Sequence, residues 1–198
     1  TGPAWLNLAA WRSCTEAEGP GRRAALWVQG CNKRCPDCCN PRFLPLVERE
    51  LVPAAKVVDR LAAAQRDFGI EGVTFLGGEP MLQAHGLAEV ARGAEKLELS
   101  VMVFTGYTLD ELSTVQPQGW QELLDSTDVL VAGPYLADEP DTERRWIGSR
   151  NQSMHYLSSR YNAEIERIPH AGREIEIRVD LSGVLRMNGW PVQFLKRR

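Results

Sequence analysis

The sequence predicts an α/β fold: an incomplete (partial) TIM-type barrel of parallel strands with a C-terminal β-hairpin. Short apolar runs alternate along the chain with segments of helical periodicity, a pattern typical of parallel strands joined by right-handed crossovers. Most of these runs lack polar alternation, as expected of strands that are buried on both faces. The chain has 198 residues, whereas eight βα units need about 250, so we expect an open barrel.

Five segments form the predicted strands. Residues 5–14 alternate loosely, and residues 24–29 are an apolar run short enough for a buried strand. Residues 72–76, 99–104 and 128–132 are further apolar runs of this kind. A glycine follows closely after each of the last four runs, so each enters a loop at its carboxyl end. Barrel enzymes place their functional groups on such loops.

Helices are predicted between these strands. Pro53 suits the first turn of a helix, and apolar residues then recur at helical spacing as far as Phe68. Residues 83–97 predict a second helix, and residues 109–115 and 120–124 predict two short ones.

The C-terminal part of the sequence predicts one further element. Residues 136–173 are polar and give no regular pattern. Residues 174–181 alternate, a Ser-Gly turn signal follows, and residues 184–187 return as a second strand. We expect this hairpin to cap an edge of the sheet.

Length and composition predict a single domain over residues 1–198. The net charge of −3 lacks the basic excess of a nucleic-acid-binding protein, and no apolar stretch approaches the roughly 18 residues of a membrane span. The cysteines are expected to be reduced, and the N-terminus has no signal-peptide pattern. We therefore expect a cytoplasmic protein with no nucleic-acid or membrane partner, and a solvated basic tail at residues 196–198.

Four of the five cysteines lie within nine positions, and three of them, Cys31, Cys35 and Cys38, have the spacing C-x3-C-x2-C. Thiolates so closely spaced select zinc or an iron–sulfur cluster. A structural zinc ion wants four protein ligands, whereas three thiolates suit a [4Fe-4S] cube with one iron open to a substrate or cofactor. A zinc knuckle that uses Cys39 or a histidine as its fourth ligand stays open. A disulfide also stays open, although an odd count of five cysteines, four of them crowded, suits it poorly.

A second motif, Gly77-Gly78-Glu79-Pro80, follows a predicted strand. Glycines permit close approach of a backbone to a ligand, because no Cβ intervenes. Their carbonyl groups and the Glu79 carboxylate can accept hydrogen bonds from a cationic amine. A glycine pair is also common as a bare turn before a helix, so the motif gains weight only from its place one βα unit after the cysteines.

The cysteine spacing resembles that of the radical SAM enzymes. Further stretches are similar to the glycyl-radical activating enzymes, and in particular to the anaerobic ribonucleotide reductase activating proteins. The resemblance implies a domain core of about 16–152 and a C-terminal extension of about 153–198, because the similar stretches follow one another in the order of that family across a whole small domain. These stretches make the resemblance specific. They are Gly19-Pro20-Gly21-x-Arg23, residues 29–31, residues 35–41, residues 104–112, residues 128–135 and residues 148–152.

The resemblance implies that a [4Fe-4S] cluster is held by Cys31, Cys35 and Cys38, and that S-adenosylmethionine binds its open iron. It also implies which residues contact S-adenosylmethionine: Cys39, Asn40, Gly77, Gly78, Glu79, Pro80, Thr105 and Gly106. The cofactors carry the radical chemistry, so no catalytic acid or base is assigned. The scattered His85, His155 and His170 are interpreted as surface or packing residues.

The resemblance further implies an activase that cleaves S-adenosylmethionine reductively and abstracts hydrogen from a partner protein or peptide, most simply a glycyl radical enzyme. An external electron donor such as flavodoxin or ferredoxin would serve it. Two alternatives stay open. One is a radical SAM enzyme that modifies a small molecule or a ribosomal peptide, and the other is a non-catalytic iron–sulfur or zinc module for binding or electron transfer.

Five positions depart from the pattern of the reductase activators. Asp37 stands where they tend to have glycine, and Cys39 where they tend to have an aromatic residue or histidine. Ala132 replaces a usual Asp, and Ile147 and Arg150 replace residues of an Arg-Gly-Ser-Ser-Asn-Gln run. The last three lie outside the cysteine and glycine motifs, so they bear on the partner more than on the cofactor chemistry.

Overall fold

The computed structural model describes residues 2–114, 117, 119–167, 174–179 and 181–189. These residues form nine strands, four α-helices and three short 3-10 helices. In chain order the strands and α-helices are β1 (Trp5–Thr15), β2 (Arg23–Val28), β3 (Glu50–Pro53), α1 (Ala54–Phe68), β4 (Gly72–Gly77), α2 (Ala84–Lys96), β5 (Ser100–Thr105), α3 (Leu109–Thr114), α4 (Trp120–Asp125), β6 (Val129–Ala132), β7 (Ser153–Tyr156), β8 (Ile175–Val179) and β9 (Leu185–Gly189).

A seven-stranded sheet with the order β3-β1-β2-β4-β5-β6-β7 organises the fold. Its four central strands, β2, β4, β5 and β6, are mutually parallel, whereas β1, β3 and β7 pair antiparallel with their neighbours. The predicted mixed α/β fold with a mostly parallel sheet is therefore confirmed. Strand order does not establish curvature, so the partial barrel stays a prediction.

Side chains of the parallel strands alternate between two buried faces. On β2, Ala24, Leu26 and Val28 join the main hydrophobic core with buried residues of α1 and α2. Ala25 and Trp27 point to the opposite face and belong to a smaller cluster. Burial on both faces explains why the sequence of this strand reads as a continuous apolar run.

The amino ends of the parallel strands surround a fully buried arginine, Arg23. Its guanidinium donates to Thr74 Oγ1 at 2.9 Å, to Ser100 Oγ at 2.9 Å and to the Val73 carbonyl at 2.8 Å. Burial lowers the pKa of Arg23. A buried cation is tolerated only when its donors are paired, so this network ties β2, β4 and β5 together at the end opposite the cysteine loop.

Two edge strands, β3 and β7, were not predicted. Each has four residues and pairs with a strand distant in sequence, so local patterning could not reveal it. They occupy the two edges of the large sheet, and the C-terminal hairpin forms a separate two-stranded sheet from β8 and β9. The hairpin prediction is confirmed, and the expectation that the hairpin caps a sheet edge stays a prediction.

The remaining sequence-based expectations lie partly outside the described residues. This is so for His170, for Val115 at the end of a predicted short helix, and for the basic residues 196–198. In the part of the chain that is described, no helix has the length and apolar character needed to cross a membrane.

Candidate active site

The carboxyl ends of the four parallel strands meet at one edge of the sheet. Strand β2 leads into the cysteine loop, and β4 leads into Gly78 and Glu79. Strand β5 ends at Thr105 and Gly106 follows it, while β6 is followed by Gly133. Parallel pairing alone brings these segments together, although they are far apart in sequence.

A cavity of about 700 Å³ opens at this edge. All but one of the site residues predicted from the sequence line this cavity. Those on the cavity are Cys31, Cys35, Cys38, Cys39, Asn40, Gly77, Gly78, Glu79, Thr105 and Gly106. Pro80 is buried at the start of the 3-10 helix that follows β4, and it does not line the cavity.

The two glycines of the second motif make room for the backbone of the cysteine loop. A Cβ on Gly78 would lie 2.2 Å from the Gly30 carbonyl oxygen, which no side chain tolerates. Gly77 has a φ of +114°, and a Cβ there would lie 2.6 Å from the Val28 nitrogen. The Glu79 N–H donates to the Gly30 carbonyl at 2.8 Å. The glycines thus join the two motifs directly, a function that requires no ligand.

Glu79 is 1% exposed, and its carboxylate accepts three hydrogen bonds from the protein. Oε1 accepts from the Met81 N–H at 2.9 Å and from the Thr105 hydroxyl at 2.8 Å. Oε2 accepts from the Gly106 N–H at 2.8 Å. Burial raises the pKa of Glu79, and the hydrogen bonds oppose this effect. Oε2, with one protein donor, keeps capacity for a further donor such as an amine.

The cysteines of the loop present a suitable thiol set for a cluster. Cys31 is buried, while Cys35 and Cys38 are half-buried. The Asn40 N–H points at Cys38 Sγ from 3.4 Å, and N–H groups directed at sulfur are among the factors that tune cluster potentials. A hydrogen bond from exposed Cys39 lowers the pKa of Cys38 to about 6, and burial raises the pKa of Cys31.

The positions of the thiols bear on the zinc interpretation. Among the residues that the structure describes, no three His, Cys, Asp or Glu side chains converge closely enough to hold one metal ion. A zinc ion needs four ligands around a single point. A [4Fe-4S] cluster differs, because it binds each cysteine through a different iron. Cys14 packs against the hydrophobic core, away from the cavity.

Two residues of the cysteine loop have left-handed backbone conformations, namely Arg34 with a φ of 48° and Asp37 with a φ of 54°. Such values favour glycine, although Asp adopts them more readily than most residues. The resemblance implies glycine at the position of Asp37, and the left-handed backbone conformation gives a physical reason for it. Asp37 therefore preserves the loop shape at some conformational cost.

Sequence reasoning missed the residues that fasten this loop. Lys33 Nζ lies 3.7 Å from the centre of the Tyr107 ring and 2.8 Å from Glu111 Oε1. Asn32 Nδ2 donates to the Tyr107 hydroxyl at 2.6 Å. The sequence shows these residues only as separate positions, because Lys33 lies between two cysteines and Glu111 lies on α3. No sequence pattern connects them. These contacts hold the cysteine loop against the turn after β5.

Comparisons with known proteins agree with this geometry. Residues 17–155 match the family described as "4Fe-4S single cluster domain". A Salmonella typhimurium anaerobic ribonucleoside-triphosphate reductase-activating protein is 33% identical over 147 residues, which cover 70% of this chain and 91% of the relative. The chain belongs to the family of these reductase-activating proteins.

Other activating proteins of the family give similar values. Its Escherichia coli K12 member is 31% identical over 160 residues, covering 77% of this chain and 99% of that protein. The Vibrio cholerae member is 33% identical over 157 residues, covering 76% and 97%. Family membership makes the chain a radical SAM enzyme of the activating type, whose cofactors are a [4Fe-4S] cluster and S-adenosylmethionine.

Among solved structures, Escherichia coli QueE aligns with a TM-score of 0.42 and 20% identity, over 52% of this chain and 53% of QueE.

The family match ends at residue 155, before β8 and β9 begin. Residues of this hairpin nevertheless line the cavity, among them Ile175, Met187 and Asn188. One wall of the candidate site therefore comes from outside the family-matched segment.

Proposed function

We propose that this protein is a glycyl-radical-enzyme activase that cleaves S-adenosylmethionine reductively and abstracts hydrogen from a partner protein. When bound, the reduced cluster and S-adenosylmethionine supply a 5′-deoxyadenosyl radical. The proposal is carried by one observation: three parallel strands, β2, β4 and β5, deliver the cysteine loop, buried Glu79 and Gly106 to one cavity. The relatives' name, reductase-activating protein, supports the partner class.

In this proposal Cys31, Cys35 and Cys38 hold the cluster. Glu79 orients the amino group of S-adenosylmethionine through Oε2, in line with its position beside the cysteine loop and its single donor on that atom. The other proposed contacts come from the cavity-lining residues of the two motifs and the β5 turn, with Pro80 setting the backbone of the second motif. The cavity-lining contacts are Cys39, Asn40, Gly77, Gly78, Thr105 and Gly106.

The proposal also includes the curvature of the sheet, the extent of the domain, the cellular location and the electron donor. The parallel strands are proposed to curve into a partial barrel whose mouth is the cavity, within a single domain of residues 1–198. The protein is proposed to work in the cytoplasm with flavodoxin or ferredoxin as electron donor, and without nucleic-acid or membrane partners. An open barrel mouth suits a macromolecular substrate, because a loop of another protein can enter it.

A second candidate function is a radical SAM enzyme that modifies a ribosomal peptide or a small molecule. It is favoured by one specific observation: the β8–β9 hairpin lines the cavity yet lies beyond the family-matched residues. An added wall changes what the cavity admits, so the substrate can differ from that of the relatives while the cofactor chemistry is kept.

The test is anaerobic reconstitution followed by metal analysis and a 5′-deoxyadenosine assay with S-adenosylmethionine and dithionite. We expect about four iron atoms per chain and steady 5′-deoxyadenosine formation. Proteins that co-purify anaerobically are then examined by electron paramagnetic resonance for a glycyl-radical doublet. Zinc in place of iron, or iron without 5′-deoxyadenosine, would instead identify a binding or electron-transfer module. A product on a peptide or small molecule would identify the second candidate.

A further inference from the structure

The β8–β9 hairpin turns its polar face toward the rest of the protein. Glu176 accepts a hydrogen bond from the Thr15 hydroxyl, and Arg178 donates to the Cys14 carbonyl. Asn188 Nδ2 donates to Thr15 Oγ1 at 2.8 Å. Within the part of the chain that the structure describes, the hairpin is therefore attached to the end of β1 through polar contacts.

The opposite face of the hairpin is apolar and faces outward. Strand pairing places Ile177 opposite Met187 and Val179 opposite Leu185, so these side chains share one face. Their exposed fractions are 57% for Ile177, 65% for Val179, 56% for Leu185 and 40% for Met187. An aliphatic sheet face turned to solvent, with the polar face turned inward, reverses the usual pattern and marks an interaction surface. We call these residues, together with Ile175, the outer hairpin face.

The outer hairpin face is continuous with the cavity. Ile175 and Met187 belong to this face and also line the cavity that contains the cysteine loop. Gly189, at the end of β9, lines the cavity too, and its N–H donates to Glu18 Oε1 at 2.7 Å. A chain segment that lies along the face is thereby directed into the cavity mouth.

We propose that the outer hairpin face binds an extended apolar segment of the polypeptide substrate and leads its reacting residue into the cavity. The inference rests on the proposed function for the identity of the cavity. A peptide in strand conformation suits this surface for two reasons. Its alternate side chains can pack between the aliphatic residues of the face, and its backbone can pair with a hairpin edge, since β8 and β9 pair only with each other among the described residues.

The test measures binding of a fluorescein-labelled heptapeptide, in which Val and Thr alternate around a central Gly, by fluorescence anisotropy on the reconstituted full chain. We expect saturable binding, weakened at least about tenfold by Ile177→Asp and by Leu185→Asp. Neither residue lines the cavity. A matched control, Phe68→Asp, changes an exposed apolar residue at the end of α1 and should leave binding unchanged. The same peptide with Lys and Glu in place of Val should not bind.

Parallel measurement of 5′-deoxyadenosine separates this inference from the proposed function. Unchanged 5′-deoxyadenosine formation with lost peptide binding in both hairpin variants supports the docking surface. Peptide binding that is absent, or unaffected by both variants, overturns it even where 5′-deoxyadenosine forms. A dimer that Ile177→Asp converts to a monomer would assign the face to a second copy and overturn the proposal. A large loss of melting temperature in both variants would overturn it as well, since it would mean that the chain itself covers the face.

Discussion

The Glu79 carboxylate accepts a hydrogen bond of 2.8 Å from the Gly106 N–H, which joins the turns after β4 and β5. The side chain of Lys33 lies directly over the same glycine, since a Cβ on Gly106 would be 3.0 Å from Lys33 Cγ. The cysteine loop, the glycine motif and the β5 turn are therefore one connected unit. A change in any of the three is expected to lower the stability of this unit.

This connection makes Glu79→Ala a test of two effects. We expect roughly ten- to a hundredfold weaker binding of S-adenosylmethionine, because a charge-assisted hydrogen bond contributes about 1.5–3 kcal/mol. We also expect a lower melting temperature, because three protein donors lose their acceptor. Isothermal titration and thermal unfolding of the reconstituted protein measure the two effects, and iron content should stay unchanged.

Thr105→Val serves as the control for that experiment. It removes one donor to Glu79 but leaves the carboxylate in place, so it should lower the melting temperature with a smaller change in cofactor affinity. Unchanged affinity in Glu79→Ala would reduce the motif to a structural turn.

Substitution of the cysteines by alanine is expected to have two different effects on iron content, depending on the position. Replacement of Cys31, Cys35 or Cys38 should abolish the reconstituted cluster, because each thiolate is proposed to hold one iron. Replacement of Cys14 or Cys39 should leave iron content near the wild-type value, since Cys14 packs against the core away from the cavity and Cys39 is exposed. Iron per chain and the charge-transfer absorption of the cluster measure the outcome. Wild-type iron in Cys35→Ala, or lost iron in Cys14→Ala, contradicts the assignment.

Glu18 gives a prediction about pH. This carboxyl is 8% exposed, and burial raises its pKa above the ordinary 4.5, despite hydrogen bonds from Gly189 and Asn188. A raised pKa in the folded state favours the protonated form, so the stabilisation is complete below about pH 4.5 and is lost as pH rises through the folded-state pKa. Glu18→Gln, which is always neutral, should therefore raise the melting temperature at pH 8.

The stability difference between Glu18→Gln and wild type should shrink as pH falls toward 4.5, because both side chains are then neutral. Thermal unfolding of the apoprotein across this range measures the effect. Glu139→Gln is a suitable control, since that carboxyl is exposed. A wild-type protein that is more stable than Glu18→Gln at pH 8 would show that the hydrogen bonds from the hairpin outweigh the burial.

The departures from the reductase pattern predict weak or no activation of an ordinary anaerobic ribonucleoside-triphosphate reductase. Ala132 ends β6 directly opposite Thr105 and offers no carboxylate to a ribose or a partner. Arg150 adds an exposed charge where a small hydroxyl is usual. Ile147, by contrast, is fully buried in a hydrophobic cluster, so its departure concerns packing.

The measurement is anaerobic electron paramagnetic resonance of the Escherichia coli reductase mixed with this protein, S-adenosylmethionine and reductant. The E. coli activating protein, under the same conditions, is the positive control. We expect 5′-deoxyadenosine but little or no glycyl-radical doublet. A doublet at near-stoichiometric yield would mean that the departures are neutral and that the protein activates this reductase in the ordinary way.

Local sequence patterns were enough to predict the parallel strands and the residues at their carboxyl ends. Runs such as 72–76 are apolar on both faces, and the glycines after them mark where each strand stops, so both signals are local. The edge strands β3 and β7 depend on pairing with distant partners, and no local pattern specifies such pairing. The alternating polarity of the hairpin was also visible in the sequence, but the sequence did not predict which face of the hairpin turns inward.

Tertiary structure alone decided how the predicted motifs interact. The sequence identified Glu79 and the cysteines, but only the fold places the Gly30 carbonyl against Gly78 and the Gly106 N–H against Glu79. It also places Lys33 on Tyr107, a contact across 74 positions that no spacing rule encodes. Local sequence determines backbone preference and burial, because these depend on neighbouring residues. Contacts between loops depend on the register and order of whole strands, and these are decided only when the core packs.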